Sequence, residues 1–140
     1  MNSSAAITVQ VVVNAPVEKV WRLWTDPEHI KQWNNASDDW RTPRAENDLK
    51  TGRKFLYRME AKDGSAGFDF LGVYDEIREN ELIAYTIDDG RKVKVAFRKN
   101  SDLETGVVET FEAEGTYPIE MQRTGWQAIL DNFKSYAESK

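Results

Sequence analysis

Between Pro118 and Ser139 the apolar residues Ile119, Trp126, Ile129, Leu130, Phe133, Tyr136 and Ala137 recur at three- and four-residue steps. That period predicts a long helix with one apolar stripe. Gln127, Asp131, Lys134 and Glu138 fall on its other side. Pro118 suits a first turn, where its missing N–H is not needed, and Glu120 complements the positive end of the helix dipole. The stripe needs a surface to lie on. Most of the chain ahead of it alternates with a period of two, so the expected partner is one face of a sheet, with room for a pocket between.

The upstream pattern divides into short elements. Ile7, Val9, Val11 and Val13 share one face of a strand over Ile7 to Val13. Asn14-Ala15-Pro16 stops it, and Val17, Val20, Trp21 and Trp24 form a helical stripe. Asp26 can cap a second, short helix that has Pro27 in its first turn and ends near Trp33. Two consecutive helices after one strand exclude a βαβ pattern. Asp38 to Glu46 reads as a weak strand, confined to an edge by Pro43. Further strands follow around Phe55, Tyr57 and Met59, then Phe68 to Tyr74, Leu82 to Ile87, Val93 to Arg98, and Val107 to Ala113. Asp63-Gly64 and Asp88-Asp89-Gly90 are turns, and Asn100 to Gly106 is a polar turn. The fold class is α+β, ordered β-α-α, six antiparallel strands, then the long helix. With no repeat, low-complexity segment or linker, residues 1–140 read as one domain.

Composition narrows the function. Nineteen Lys and Arg against 24 Asp and Glu give a net charge of −5. That argues against nucleic acid, which needs a cationic footprint. There is no cysteine, hence no disulfide, thiol nucleophile or zinc–thiolate site. The segment Met1 to Ala6 lacks the pattern of a leader, and no apolar run reaches the ~20 residues that span a bilayer. The expected address is cytoplasmic, without membrane insertion.

The run Ala15 to Trp21, followed by Thr25-Asp26-Pro27 and Gln32-Trp33, resembles the opening of the SRPBCC or START-like superfamily. Asn47 to Phe55, Met59 to Gly64, Gly72 to Ile77 and Gly125-Trp126 resemble one branch of it, the family homologous to the activator of the Hsp90 ATPase. The similarity spans almost the whole chain and is carried by the order and spacing of these motifs together. Thr51 departs from the branch, where a second glycine is common. The resemblance implies a helix-grip fold, a curved antiparallel sheet around the C-terminal helix. Members of the superfamily usually hold a small apolar or amphipathic ligand there; some are enzymes, such as polyketide cyclases, and some are transfer proteins.

Conventional catalytic chemistry is sparse. The single histidine, His29, reads as an exposed helix residue and cannot build a multi-His metal site. Ser3, Ser4, Ser37, Ser65, Ser101, Ser135 and Ser139 have no His base nearby in sequence, so a Ser-His-Asp hydrolase is not expected. Gly64-Ser65-Ala66-Gly67 lacks the phosphate-loop lysine and reads as a turn. No cofactor or metal is expected.

Aromatic residues are the excess: five Trp, five Tyr and six Phe. Phe55, Tyr57, Phe68, Phe70, Tyr74, Tyr85 and Phe97 crowd one face, and either fill the core or leave a void. The expected ligand-lining set is Trp33, Trp40, Phe55, Tyr57, Phe68 and Phe70, with Tyr85, Val95, Phe97, Glu109, Trp126 and Phe133. Trp33 and Trp40 either gate a pocket mouth or cover a core edge. Gly125, inside the helix, either permits close helix–sheet packing, the expected reading, or leaves room for a ligand. On the last strand Val107, Glu109, Phe111 and Ala113 share a face, so an inward Phe111 carries Glu109 inward with it. Buried there, Glu109 would be the polar anchor of an aromatic pocket, with Arg123 and Tyr85 as expected partners; a strand bulge would instead turn it to solvent.

Three functions compete. The first is a non-enzymatic binder of a small, largely apolar molecule. The second, from resemblance alone, is an interaction module acting on a chaperone ATPase. The third is a cyclase or hydrolase using Glu109, Tyr57 or Tyr85 as acid or base.

Overall fold

The elements of the computed structural model, which describes residues 5–140, are β1 (Ala6–Val13), α1 (Val17–Thr25), α2 (Pro27–Trp33), β2 (Trp40–Asn47), β3 (Lys54–Ala61), β4 (Gly67–Arg78), β5 (Leu82–Ile87), β6 (Lys92–Ser101), β7 (Glu104–Glu112) and α3 (Ile119–Glu138). Ser3, Ser4 and the start of the Met1–Ala6 segment lie outside the described residues. The strands form one antiparallel sheet in the order β1-β7-β6-β5-β4-β3-β2. It curls around α3, giving the expected helix-grip α+β fold. β2 lies at the edge, and its register shifts between Arg41 and Arg44, around Pro43.

Two local readings change. The polar turn expected over Asn100 to Gly106 is a tight hairpin instead. β6 runs on to Ser101 and β7 begins at Glu104. Asn100 and Ser101 are exposed and the buried Thr105 is polar, so this extension lacks the apolar alternation that marks a half-buried strand. Ile119, assigned to the apolar stripe, is 37% exposed, because the stripe starts to bury its residues only further along α3.

One side-chain cap starts α2, and side-chain bonds to backbone groups tie the helices together. Asp26 accepts a hydrogen bond from the Glu28 N–H at 2.9 Å, and Pro27 follows it at the start of α2. The Trp33 indole N–H donates to the Leu23 carbonyl at 3.0 Å, tying α2 back onto α1. The Asn132 amide donates to the Trp33 carbonyl at 2.8 Å, tying α2 to α3. Gln122 fixes the turn into α3: its carbonyl accepts from the Glu114 N–H, and its amide donates to the Glu114 and Tyr117 carbonyls.

The long helix does not sit centrally on the sheet. Arg123, Gln127 and Lys134 donate to the carbonyls of Thr8, Gln10 and Val12. These alternate carbonyls point away from β7 along an edge strand, where they would otherwise be open to pairing with another chain. α3 therefore closes the β1 edge. Its Leu130, Phe133 and Ala137 are fully buried, against a core that includes Val20, Val95 and Val107.

Candidate functional site

Opposite that sealed edge, the concave side of β3, β4 and β5 is only partly covered. A cavity of about 260 Å³ lies there. Its walls come from three directions. α1 and α2 supply Trp24, Thr25, Trp33 and Asn34; α3 supplies Trp126 and Ile129; the sheet supplies an aromatic floor from Phe55, Tyr57, Phe70 and Tyr85.

Strand register explains the floor. Tyr57 faces Phe70, and Tyr74 faces Tyr85, as cross-strand pairs. Phe55 packs against Tyr57, Phe70, Tyr74 and Tyr85, with ring centroids 4.9–5.9 Å apart. Gly72, opposite Phe55, makes this possible: a Cβ there would stand 2.5 Å from the Thr86 carbonyl and 3.0 Å from the Phe55 ring. Trp126 lies flat on Phe111, with centroids 3.9 Å apart and planes 10° apart.

Of the expected lining residues, Trp33, Phe55, Tyr57, Phe68, Phe70, Tyr85, Glu109 and Trp126 meet at this cavity. Val95, Phe97 and Phe133 lie instead in the sealed core. Phe97 packs edge-on to Trp21 and Trp24, and Phe133 edge-on to Trp24 and Trp33, so helix side chains cover them. Trp40 stands outside, its ring 6.0 Å from that of Phe68. Phe68 is 47% exposed and also lines the cavity, which places the mouth at this pair. Trp33 is buried and forms inner wall. Trp24, Met59, Ile83 and Arg91 also line the cavity. Trp24 was legible as a helix-stripe residue; its position beside the void depends on how α1 lies on the sheet. Arg91 sits in a turn and carried no signal in the sequence.

Glu109 points inward and is 6% exposed. Its row across the sheet is Val9, Glu109, Val95 and Ile83. Burial among these neighbours pushes its pKa up to about 8. Arg123, an expected partner, is on the outside, bound to Glu120 and the Thr8 carbonyl. Tyr85 does lie near: burial raises its pKa, and a charge on Glu109 raises it further. Burial likewise raises the pKa of Tyr57 and Tyr74, whose hydroxyls lie against each other and against Asn47. Tyr57 and Tyr85 retain some accessible area, and that area faces the cavity.

His29 departs from its reading as an exposed residue. It is half-buried, and its Nδ1 lies 2.6 Å from the Tyr136 hydroxyl. It stands away from the cavity lining. Gly125 does not mark close packing: a Cβ there would meet nothing within 4 Å. Among the described residues no His, Cys, Asp and Glu cluster could hold a metal ion. Among the described residues no helix is long and apolar enough to cross a membrane.

Residues 14–138 match the family model described as activator of Hsp90 ATPase homolog 1-like protein. The chain is 42% identical to an AHSA1-like protein from Aeromonas hydrophila whose solution structure superposes with a TM-score of 0.90, covering 96% of this chain and 93% of that one. It is 54% identical to Chr148 from Cytophaga hutchinsonii, with a TM-score of 0.83 and coverage of 95% and 92%. NE0264 from Nitrosomonas europaea shares the fold at 16% identity, with a TM-score of 0.79 and coverage of 99% and 97%. No curated protein matches the chain.

Proposed function

The chain belongs to the family of activator of Hsp90 ATPase homolog 1-like proteins, and from its geometry we propose that it is a non-enzymatic domain that binds one small, largely apolar molecule. The aromatic cavity between α3 and strands β3 to β5 carries this reading. Ligand pockets are typically roughly 300–1,000 Å³, apolar, with a few polar groups that set orientation. At about 260 Å³ the space suits a ligand of one or two rings rather than a sterol or a long acyl chain. The rings of Phe55, Tyr57, Phe70 and Trp126 would supply the contact area, and the exposed Phe68 would lie over the ligand at the mouth.

The lining offers neither a nucleophile paired with a base nor a carboxylate pair, so we assign no catalytic role to it. Acyl transfer would need a nucleophile activated by an adjacent base. His29, the one candidate imidazole, is engaged with Tyr136 elsewhere.

Native mass spectrometry of the protein purified from its own source tests the reading, together with a titration by naphthalene followed in amide and indole NMR spectra. A retained small molecule, or shifts confined to Phe55, Tyr85, Trp126 and Ile129, is the expected result. No retained molecule and no shift at high naphthalene concentration would remove the binding function.

A further inference from the structure

Two polar groups in the cavity wall lack a protein partner. Glu109 is 6% exposed, and its surroundings act on it through burial alone, with no hydrogen bond or ion pair to a described residue. Yet among the described residues no buried side-chain oxygen is sealed off without a partner, so this carboxyl opens into the cavity. The Tyr85 hydroxyl is in the same position on the neighbouring wall. The hydroxyls of Tyr57 and Tyr74, by contrast, lie beside each other and beside the Asn47 side chain.

The proton inventory says what such a pair would accept. β1 and β6 turn Val9 and Val95 toward Glu109, and α3 brings Trp126 and Ile129 to the same space. The titratable or charged groups facing it are Tyr85 from β5, Tyr57 from β3, Tyr74 from β4, and Arg91 from the turn after β5. Arg91 is committed elsewhere: its Nε donates to Asp89 at 2.8 Å and its Nη1 to the Glu112 carbonyl at 3.3 Å. A carboxyl with no cation to pair with takes up a proton instead of standing charged in an apolar row. It then carries an O–H donor that no protein group accepts, and Tyr85 carries a second. Two free donors with a guanidinium nearby favour an oxygen acceptor and oppose an ammonium group.

We propose that the ligand presents a carbonyl oxygen, borne on an apolar ring body, to hydrogen bonds donated by the Glu109 carboxyl and the Tyr85 hydroxyl. The inference rests on the cavity being a binding site, and it adds the chemical class and orientation of what binds. The carbonyl end points toward β7 and β5, and the rings fill the space between Phe70 and Trp126.

Three probes of similar shape test it on the full chain: acetylnaphthalene, ethylnaphthalene and naphthylethylamine, titrated calorimetrically. In mildly acidic buffer the ketone should bind at least about tenfold more tightly than the hydrocarbon, the ratio expected of one or two good hydrogen bonds. The preference should decline as pH rises through the Glu109 pKa of about 8, because the carboxylate no longer donates. Glu109→Gln keeps a neutral donor, so it should retain the preference without the pH dependence. Glu109→Leu and Tyr85→Phe should reduce it while still binding ethylnaphthalene. Equal affinity for ketone and hydrocarbon, tighter binding of the amine, or a preference that survives in Glu109→Leu would each overturn the carbonyl assignment and leave the binding role standing. If none of the three probes binds, both the assignment and the binding role fall.

Discussion

The concave side of this sheet has two halves that look alike in composition and differ in state. Both are rich in aromatic residues. Toward β1, β7 and β6 the rings interleave with helices: Trp24, Trp33 and Phe133 lie within 4.7–4.9 Å of one another, centroid to centroid. Toward β3, β4 and β5 the rings pack mainly on each other; Trp126 and Ile129 of α3, with Trp24 and Trp33 from α1 and α2, only border the space, leaving about 260 Å³ open. Side-chain size therefore does not decide between core and cavity. What decides is whether a second element lies close enough to interdigitate, and α3 is drawn to the β1 edge by its bonds to the Thr8, Gln10 and Val12 carbonyls.

The strongest way to break the comparison is to remove α3. A chain ending near Thr116 should fail to fold, because both aromatic halves would be exposed as one large apolar face. Soluble, cooperatively unfolding truncated protein would show that the helix is peripheral to both.

Single substitutions can then set one half against the other. Phe133→Ala, in the sealed half, should cost on the order of 3–5 kcal/mol in denaturant unfolding. Trp126→Ala removes a larger side chain but borders space already empty, so its loss should be smaller, about 2 kcal/mol. Equal losses would mean that the two halves are packed alike.

Glu109 sharpens the contrast through pH. Its folded-state pKa of about 8 lies above the ordinary carboxylate value of 4.5. The folded state thus holds a proton that the unfolded state gives up. Its contribution is complete below the unfolded pKa and is lost as pH rises from there through about 8, at up to roughly 1.4 kcal/mol per pH unit. Glu109→Gln should flatten that part of the stability profile. A wild-type profile already flat between these two pKa values would show that Glu109 is ionised in the fold.

Two smaller effects concern α3 itself. Gly125→Ala should stabilise by up to about 1 kcal/mol, since helix propensity improves and the added methyl meets nothing; a loss of stability would mean that α3 lies closer to its neighbours. His29→Ala should cost about 1 kcal/mol through its bond to Tyr136, more than an ordinary surface change. No measurable cost would return it to the exposed-residue reading.

Much of the fold was legible because its signals are local and periodic. The 3.6-residue stripe marked α3, and alternation in Val93, Val95 and Phe97 marked β6. Alternation also placed Glu109 inside, since Val107 and Phe111 on the same face could not both be left in water. Asp26-Pro27 announced the start of α2 with its own capping chemistry.

The cavity was not legible in the same way. Val95, Phe97 and Phe133 carry the same apolar signature as Phe55 and Phe70, yet helices cover the first three and a void faces the other two. Arg91 reached the lining only because a turn after β5 folds beside β7, and His29 met Tyr136 across 107 positions of sequence. With Ile119, Phe68 and His29 as the departures, the sequence alone determined most of which residues leave water, because burial largely follows hydrophobic period. Only the tertiary structure decided which of them touch another side chain and which face empty space, because that depends on the distance and tilt between elements far apart in the chain.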